Sequence, residues 1–206
     1  DLQSVTLAGF SMGGGEVVRY FSRHGGARVS RVVLISSVAP FMMQTSDNPD
    51  GVPQEELNKI VSNLQNDRPK FLSTFGKQFY GIGLLSHPVS QEMLDWNLMV
   101  AMQASAKATV DAAYAFAETD FRNEMKNINC PALVIHGDSD QTVPIKATGE
   151  QAAKLIPDAK FIVYEGAPHG LFYTERARLN SDLIEFIPAG SPTQSVYANP
   201  QTRYNI

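Results

Sequence analysis

Three polar residues in this chain have the types and surroundings that nucleophilic catalysis needs. Ser11 lies in Gly9-Phe10-Ser11-Met12-Gly13, after the apolar run Val5-Thr6-Leu7-Ala8 and before a helical pattern. A G-x-S-x-G segment between strand and helix describes a turn sharp enough to strain the serine's backbone, with small residues on either side letting the chain double back. The hydroxyl then stands above the sheet edge, at a helix N-terminus whose dipole favours developing negative charge. Free serine is a poor nucleophile and needs a base within hydrogen-bond reach, itself oriented by a carboxylate. His169, in Ala167-Pro168-His169-Gly170, follows a later apolar run and is placed to be that base. Two aspartates compete for the third role in His136-Gly137-Asp138-Ser139-Asp140. Asp138 reads as a buttress of the turn. Asp140 reads as the acid, because the chain leaves the sheet just after it, at the strand end where open α/β sheets place their sites. The remaining histidines read as structural: His136 as hydrogen-bonded scaffold at a strand end, His24 in a helix's last turn, and His87 before Pro88 in a loop.

These residues need elements to hold them. Strands are expected at Ser4–Ala8, Arg31–Ser36, Pro131–His136 and Lys160–Tyr164, each a near-continuous apolar run. Helical spacing runs over Met12–His24, with Gly25-Gly26 as its stop, and over Lys146–Leu155 and Thr174–Ile187. Gly13, Gly14 and Gly15 cost helix propensity, which predicts that this helix presses close to the sheet. Apolar strands alternating with helices mean an α/β fold with a parallel sheet covered on both faces. Between the second and third strands the pattern changes to helices alone, over Pro53–Gln65, Pro69–Phe79, Ser90–Ser105 and Thr109–Ala117. Residues 41–118 are therefore expected to form a helical cap between core segments 1–40 and 119–188, followed by a flexible polar tail at 189–206.

Bulk properties narrow the function. With 206 residues the chain has enough length for one domain with a real core. A net charge of −4 with no basic stripe argues against nucleic acid as a partner. No apolar run approaches the length of a membrane span. Cys130 is the only cysteine, so an intrachain disulfide is impossible and a cytoplasmic, reducing compartment is expected. Four scattered histidines and one cysteine offer no metal-ligand spacing, and no G-x-G-x-x-G follows a strand, so neither a metal nor a dinucleotide cofactor is expected.

Several motifs together resemble one family. Gly9-Phe10-Ser11-Met12-Gly13-Gly14-Gly15-Glu16-Val17, Ala117-Glu118-Thr119-Asp120-Phe121-Arg122, Val134-Ile135-His136-Gly137-Asp138-Ser139-Asp140-Gln141 and Ala167-Pro168-His169-Gly170 are similar, in order, to the bacterial arylesterase and cofactor-free (non-haem) haloperoxidase family of α/β-hydrolases. The resemblance extends from the first residue to about Ile187. It implies Ser11 as nucleophile, Asp140 as orienting acid, His169 as base and the backbone N–H of Met12 as one oxyanion donor. The activity it implies is hydrolysis of small or aryl esters without a cofactor, with perhydrolase and haloperoxidase side activity, a small-molecule ester as partner, and a homo-oligomer as a compatible state. A lactonase or a carbon–carbon bond hydrolase would share the fold and triad. Members of the family carry further strands and a His-Gly-containing oxyanion loop before the elbow. These 206 residues then correspond to the C-terminal portion of the fold, four parallel strands with the first strand's apolar edge bare. Low activity, self-association, or an inactive fragment retained as a binding partner is the expectation for such a chain alone.

Overall fold

Runs of β-branched and aliphatic residues form the centre of the structure, a computed structural model that describes residues 2–187. The expected flexible tail at 189–206 lies outside the described residues. The four strands are β1 (Val5–Phe10), β2 (Val29–Ile35), β3 (Ala132–Gly137) and β4 (Lys160–Tyr164). They pair in parallel in the order β1-β2-β3-β4. Register aligns Phe10 with Ile35, Ile35 with Ile135, and Ile135 with Ile162, so the C-terminal ends of all four strands finish along one edge.

Strand periodicity of two divides the apolar residues between two faces. Val32, Leu34 and Val134 pack on one side with Val17, Val18 and Phe21 of α1 (Met12–His24) and Ala152 of α6 (Gly149–Leu155). Val33, Ile35, Leu133 and Ile135 pack on the other with Leu171 of α7 (Leu171–Thr174) and Leu179 of α8 (Arg176–Phe186). β2 and β3 are the two inner strands, and β3 is buried at every position. β1 lies at the sheet edge.

Four α-helices lie between β2 and β3: α2 (Gln54–Asn66), α3 (Arg68–Phe79), α4 (Gln91–Met102) and α5 (Ala106–Glu118). Their starts are written locally. The side chains of Asp67, Ser90 and Ser105 accept from the backbone N–H of Lys70, Met93 and Ala108, satisfying donors that a helix start leaves unpaired. Ser105 thus opens α5, where periodicity alone had suggested the end of the preceding helix. The Arg68 guanidinium donates to the carbonyls of Ala101 and Ala104, tying the start of α3 to the end of α4. Arg122 pairs with Asp120 and Asp47, fastening the exit of the helical segment to its entry loop.

The boundary differences have physical causes. α6 starts at Gly149, not Lys146, because Pro144–Thr148 forms a turn in which the Thr148 hydroxyl donates to the Pro144 carbonyl. The helix expected over Thr174–Ile187 runs as α8 from Arg176 to Phe186, because Glu175, with φ −112° and ψ 24°, is not helical and separates it from the short α7 before it. α4 buries none of its residues, and Trp96 is 58% exposed. Among the described residues no helix is long and apolar enough to cross a membrane.

The glycines of the elbow are not equivalent. A Cβ on Gly9 would stand 2.5 Å from the Gly13 carbonyl oxygen, one on Gly14 2.0 Å from the Ser37 hydroxyl, and one on Gly15 2.7 Å from the Phe121 ring. A Cβ on Gly13 meets nothing within 4 Å. Close packing of α1 on the segment after β2 and on the Phe121 ring therefore rests on Gly14 and Gly15. We expect Gly14→Ala to destabilise the protein by about 1–3 kcal/mol through overpacking. Gly13→Ala should be neutral or stabilising by up to about 1 kcal/mol, because alanine costs less in a helix. Chemical denaturation midpoints of the two variants check this contrast.

Candidate active site

The sheet edge collects three loops. The first is the elbow, where β1 ends and α1 begins one residue later. Ser11 sits between them with φ 52° and ψ −122°, a left-handed conformation that a non-glycine residue adopts only when its surroundings enforce it. The surroundings here are three backbone hydrogen bonds. Ser11 N–H donates to the Ile35 carbonyl at 2.9 Å, and its own carbonyl accepts from Gly14 and Val38 at 3.0 and 3.2 Å. The Ser11 side chain makes no helix-capping bond, which leaves its hydroxyl for other partners. Met12 is the first residue of α1, so its N–H has no acceptor within the helix.

The second loop follows β3. Asp140 is 8% exposed. Its Oδ1 accepts from the N–H groups of Thr142 and Val143 at 2.9 and 2.8 Å. Its Oδ2 lies 2.7 Å from His169 Nδ1 and 3.4 Å from His136 Nε2. Burial pushes this carboxyl up, but the two imidazoles outweigh burial and hold its pKa at about 2. Asp138 does something else. Its exposed carboxylate accepts from Gly166 N–H at 2.7 Å and from the Ser139 hydroxyl, bracing the acid loop against the loop after β4. The buttress reading of Asp138 agrees with that contact.

The third loop follows β4. His169 is 1% exposed, and its Nε2 lies 2.9 Å from Ser11 Oγ across 158 positions of sequence. A carboxylate only accepts, so Nδ1 carries the proton toward Asp140, and Nε2 presents its lone pair to the Ser11 hydroxyl. The relay is continuous: Ser11 Oγ–H to His169, and His169 Nδ1–H to Asp140.

The helical segment between β2 and β3 reaches this relay at the end of α3. The Gly170 N–H donates to the Phe79 carbonyl at the end of α3, at 2.7 Å. The Phe79 and Phe10 rings each lie 5.0 Å from the His169 ring, and Phe172 packs on Phe10. A side chain at position 170 would run into Tyr80 and Phe79. Gln78 donates to the Gln141 carbonyl of the acid loop. Phe71, Phe75 and Phe79 are adjacent along α3 and half-buried, with ring spacings of 5.9 and 6.0 Å. No local signal marks Gln78 and Phe79 as neighbours of the relay; only long-range packing brings them there. His24 lies exposed beside the Tyr20 ring, and His87 is exposed in a groove with Lys77, Leu94 and Tyr173. Neither approaches the relay.

A parallel sheet carrying a strained serine elbow, with an acid and a histidine on the following loops, defines the hydrolase class of α/β proteins. A family profile described as "alpha/beta hydrolase fold" matches residues 1–176, and the chain belongs to that family. It is 39% identical over 189 residues to the non-heme chloroperoxidase CPO-A1 of Kitasatospora aureofaciens, covering 91% of this chain and 69% of that one. It is 38% identical over 188 residues to the bifunctional esterase/perhydrolase DCH of Acinetobacter calcoaceticus, covering 90% of this chain and 68% of that one. Among solved structures, the bromoperoxidase of Bacillus anthracis superposes with a TM-score of 0.87 at 41% identity, covering 90% of this chain and 67% of that one.

The state of Asp140 has a thermodynamic consequence. Its folded pKa of about 2 lies below the ordinary value of 3.8. The ionised form therefore contributes stability that is fully present above the unfolded pKa and is lost as pH falls toward the folded one. A shift of this size corresponds to about 2 kcal/mol. We expect unfolding free energy to drop between about pH 5 and pH 2, and the Asp140→Asn variant to lose on the order of 2 kcal/mol of that drop. Urea titrations at several pH values compare the two.

Proposed function

We propose that this protein is a serine hydrolase of small or aryl carboxylic esters, working through an acyl-enzyme, with perhydrolase activity when hydrogen peroxide replaces water. The observation that carries the reading is the relay itself, with 2.9 Å from Ser11 Oγ to His169 Nε2 and 2.7 Å from His169 Nδ1 to Asp140 Oδ2. Esterase/perhydrolase and haloperoxidase relatives support the same chemistry.

In this mechanism Ser11 Oγ attacks the ester carbonyl carbon as its proton passes to His169 Nε2. Asp140 stabilises the imidazolium and holds the ring's tautomer. The carbonyl oxygen gains the negative charge, and the unpaired N–H of Met12 with the positive end of α1 faces it. His169 then returns the proton to the departing alcohol or phenol, leaving acyl-Ser11. Water, deprotonated by His169, attacks the acyl carbon; the carboxylic acid leaves and Ser11 regains its proton. Hydrogen peroxide in place of water gives a peracid by the same steps. The peracid transfers one oxygen to halide, forming hypohalite and the carboxylic acid, with no redox cofactor required.

The roles are tested separately. A fluorophosphonate probe is expected to modify Ser11. Ser11→Ala should lower kcat on p-nitrophenyl acetate by about 10⁴-fold or more, and Asp140→Asn by about 10⁴-fold through the wrong histidine tautomer. Asp138→Asn should act on stability and leave kcat within a few-fold. Labelling of a different serine, or kcat losses reversed between the two aspartates, would overturn the assignment.

The helical segment over 41–118 serves in this reading as a cap that shapes the acyl or aryl pocket. Phe71, Phe75 and Phe79 run along α3 toward His169, and Phe10 and Phe172 stand at the same end. Replacing Phe71 or Phe75 by Ala should change the ratio of kcat/KM for phenyl acetate over ethyl acetate by about 10-fold, the effect of a few methylenes of apolar contact. Ser11 labelling should persist in both variants. An unchanged ratio in both would count against the cap as a specificity element.

A further inference from the structure

His136 is a fully buried histidine to which the relay assigns no step. It stands next to last in β3, 0% exposed. Its Nε2 lies 3.0 Å from the Val143 carbonyl oxygen and 3.4 Å from Asp140 Oδ2. A carbonyl oxygen only accepts, so the proton is on Nε2. Nδ1 is buried without a hydrogen-bond partner. It faces Gly149, where even a methyl group would come within 2.6 Å. A second proton on this ring would be a buried donor with nothing to receive it, so the geometry selects the neutral Nε2–H tautomer.

Val143 connects this ring to the acid. The same residue receives from His136 through its carbonyl and gives its N–H to Asp140 Oδ1 at 2.8 Å. His136 thus holds, through the Val143 carbonyl, the same residue whose N–H holds one carboxylate oxygen, and its own N–H dipole lies beside the other. Oδ2 accepts from His169 Nδ1–H at 2.7 Å. Neutrality matters as much as position. A cationic His136 would claim the Asp140 charge that the imidazolium of His169 needs; a neutral one orients the carboxylate and leaves its charge available.

We propose that His136 is a positioning residue, locked as the neutral Nε2–H tautomer by the Val143 carbonyl and the Gly149 backbone, that orients the Asp140 carboxylate toward His169. The proposal rests on the reading of Ser11, His169 and Asp140 as a catalytic relay.

Nitrogen NMR of the imidazoles in the unmodified protein gives the first test. His136 is expected to show a protonated Nε2 and a bare Nδ1 near neutral pH. A proton on Nδ1, or on both nitrogens, overturns the proposal. His136→Leu keeps bulk and donates nothing. It should lower kcat on p-nitrophenyl acetate by about 10- to 100-fold, the usual scale for losing an outer partner of a site ligand, with KM little changed. It should also move the low-field Nδ1–H resonance of His169 upfield. His136→Gln, whose amide N–H reaches toward the position of Nε2, should restore most of both. Equal losses in Leu and Gln variants, or a His136→Leu protein with unchanged kcat and an unmoved His169 resonance, sink the idea. If His136→Leu does not fold, Gly149→Ala displaces the ring in its place and is expected to produce the same two changes; their absence sinks the idea equally. Fluorophosphonate labelling of the unmodified protein separates this proposal from its parent. Labelled Ser11 with a contrary His136 tautomer overturns the positioning role alone. Absent labelling overturns the hydrolase reading, while the NMR comparison still decides whether His136 orients the carboxylate.

Discussion

An ionised carboxylate withdrawn from water costs several kcal/mol unless its lone pairs are answered, and the region around Asp140 is organised to answer them. Two backbone N–H groups serve Oδ1 and one imidazole N–H serves Oδ2, with a second imidazole alongside. Each donor comes from a different structural commitment. Thr142 and Val143 donate because the chain turns back immediately after Asp140. His169 donates because the loop after β4 returns along the same sheet edge. His136 stands where it does because β3 is an inner strand. Removing any one of these leaves a buried charge partly unanswered, which makes Asp140, His169 and the sheet mutually dependent.

Strain at Ser11 has the same character. A left-handed serine is unfavourable by itself, by roughly 1–3 kcal/mol. It is held by hydrogen bonds to Ile35, Gly14 and Val38, which belong to β2, to α1 and to the segment after β2. The pairing of β1 with β2 and the packing of Gly14 on Ser37 are what bring those partners close. The elbow therefore depends on the sheet's register as directly as the acid does.

The helical segment between β2 and β3 is joined to the site through the loop after β4. The Gly170–Phe79 backbone bond and the rings around His169 put the end of α3 in contact with the residue read as the base, and Gln78 adds a bond to the acid loop. A displaced α3 would loosen His169 and Gln141 together. In the function proposed here, pocket shape and base placement are set by one helix end, which links substrate preference to the relay's integrity.

Much of this was present in the chain of residues alone. The four apolar runs fixed a parallel sheet because strands covered on both faces must be apolar throughout, and Val32 to Ile35 need no partner information to say so. Gly9-Phe10-Ser11-Met12-Gly13 announced the elbow because a turn that sharp has few solutions, and Asp140 was distinguishable from Asp138 by where the chain leaves the strand. The helices expected from Pro69 and Ser90 begin at Arg68 and Gln91, behind the caps Asp67 and Ser90. What only the tertiary structure decided depends on contacts between residues far apart in sequence. Gly13 and Gly14 look alike until Ser37 is found beside one and open space beside the other. Trp96 is indistinguishable from a core residue until α4 is seen to bury nothing. His136 reads as scaffold from its strand and gains a specific meaning only when Val143, Asp140 and Gly149 close around its ring. Local sequence encodes backbone geometry because hydrogen bonds and sterics act over a few residues; proton positions and carboxylate orientation are set by neighbours that folding alone brings together.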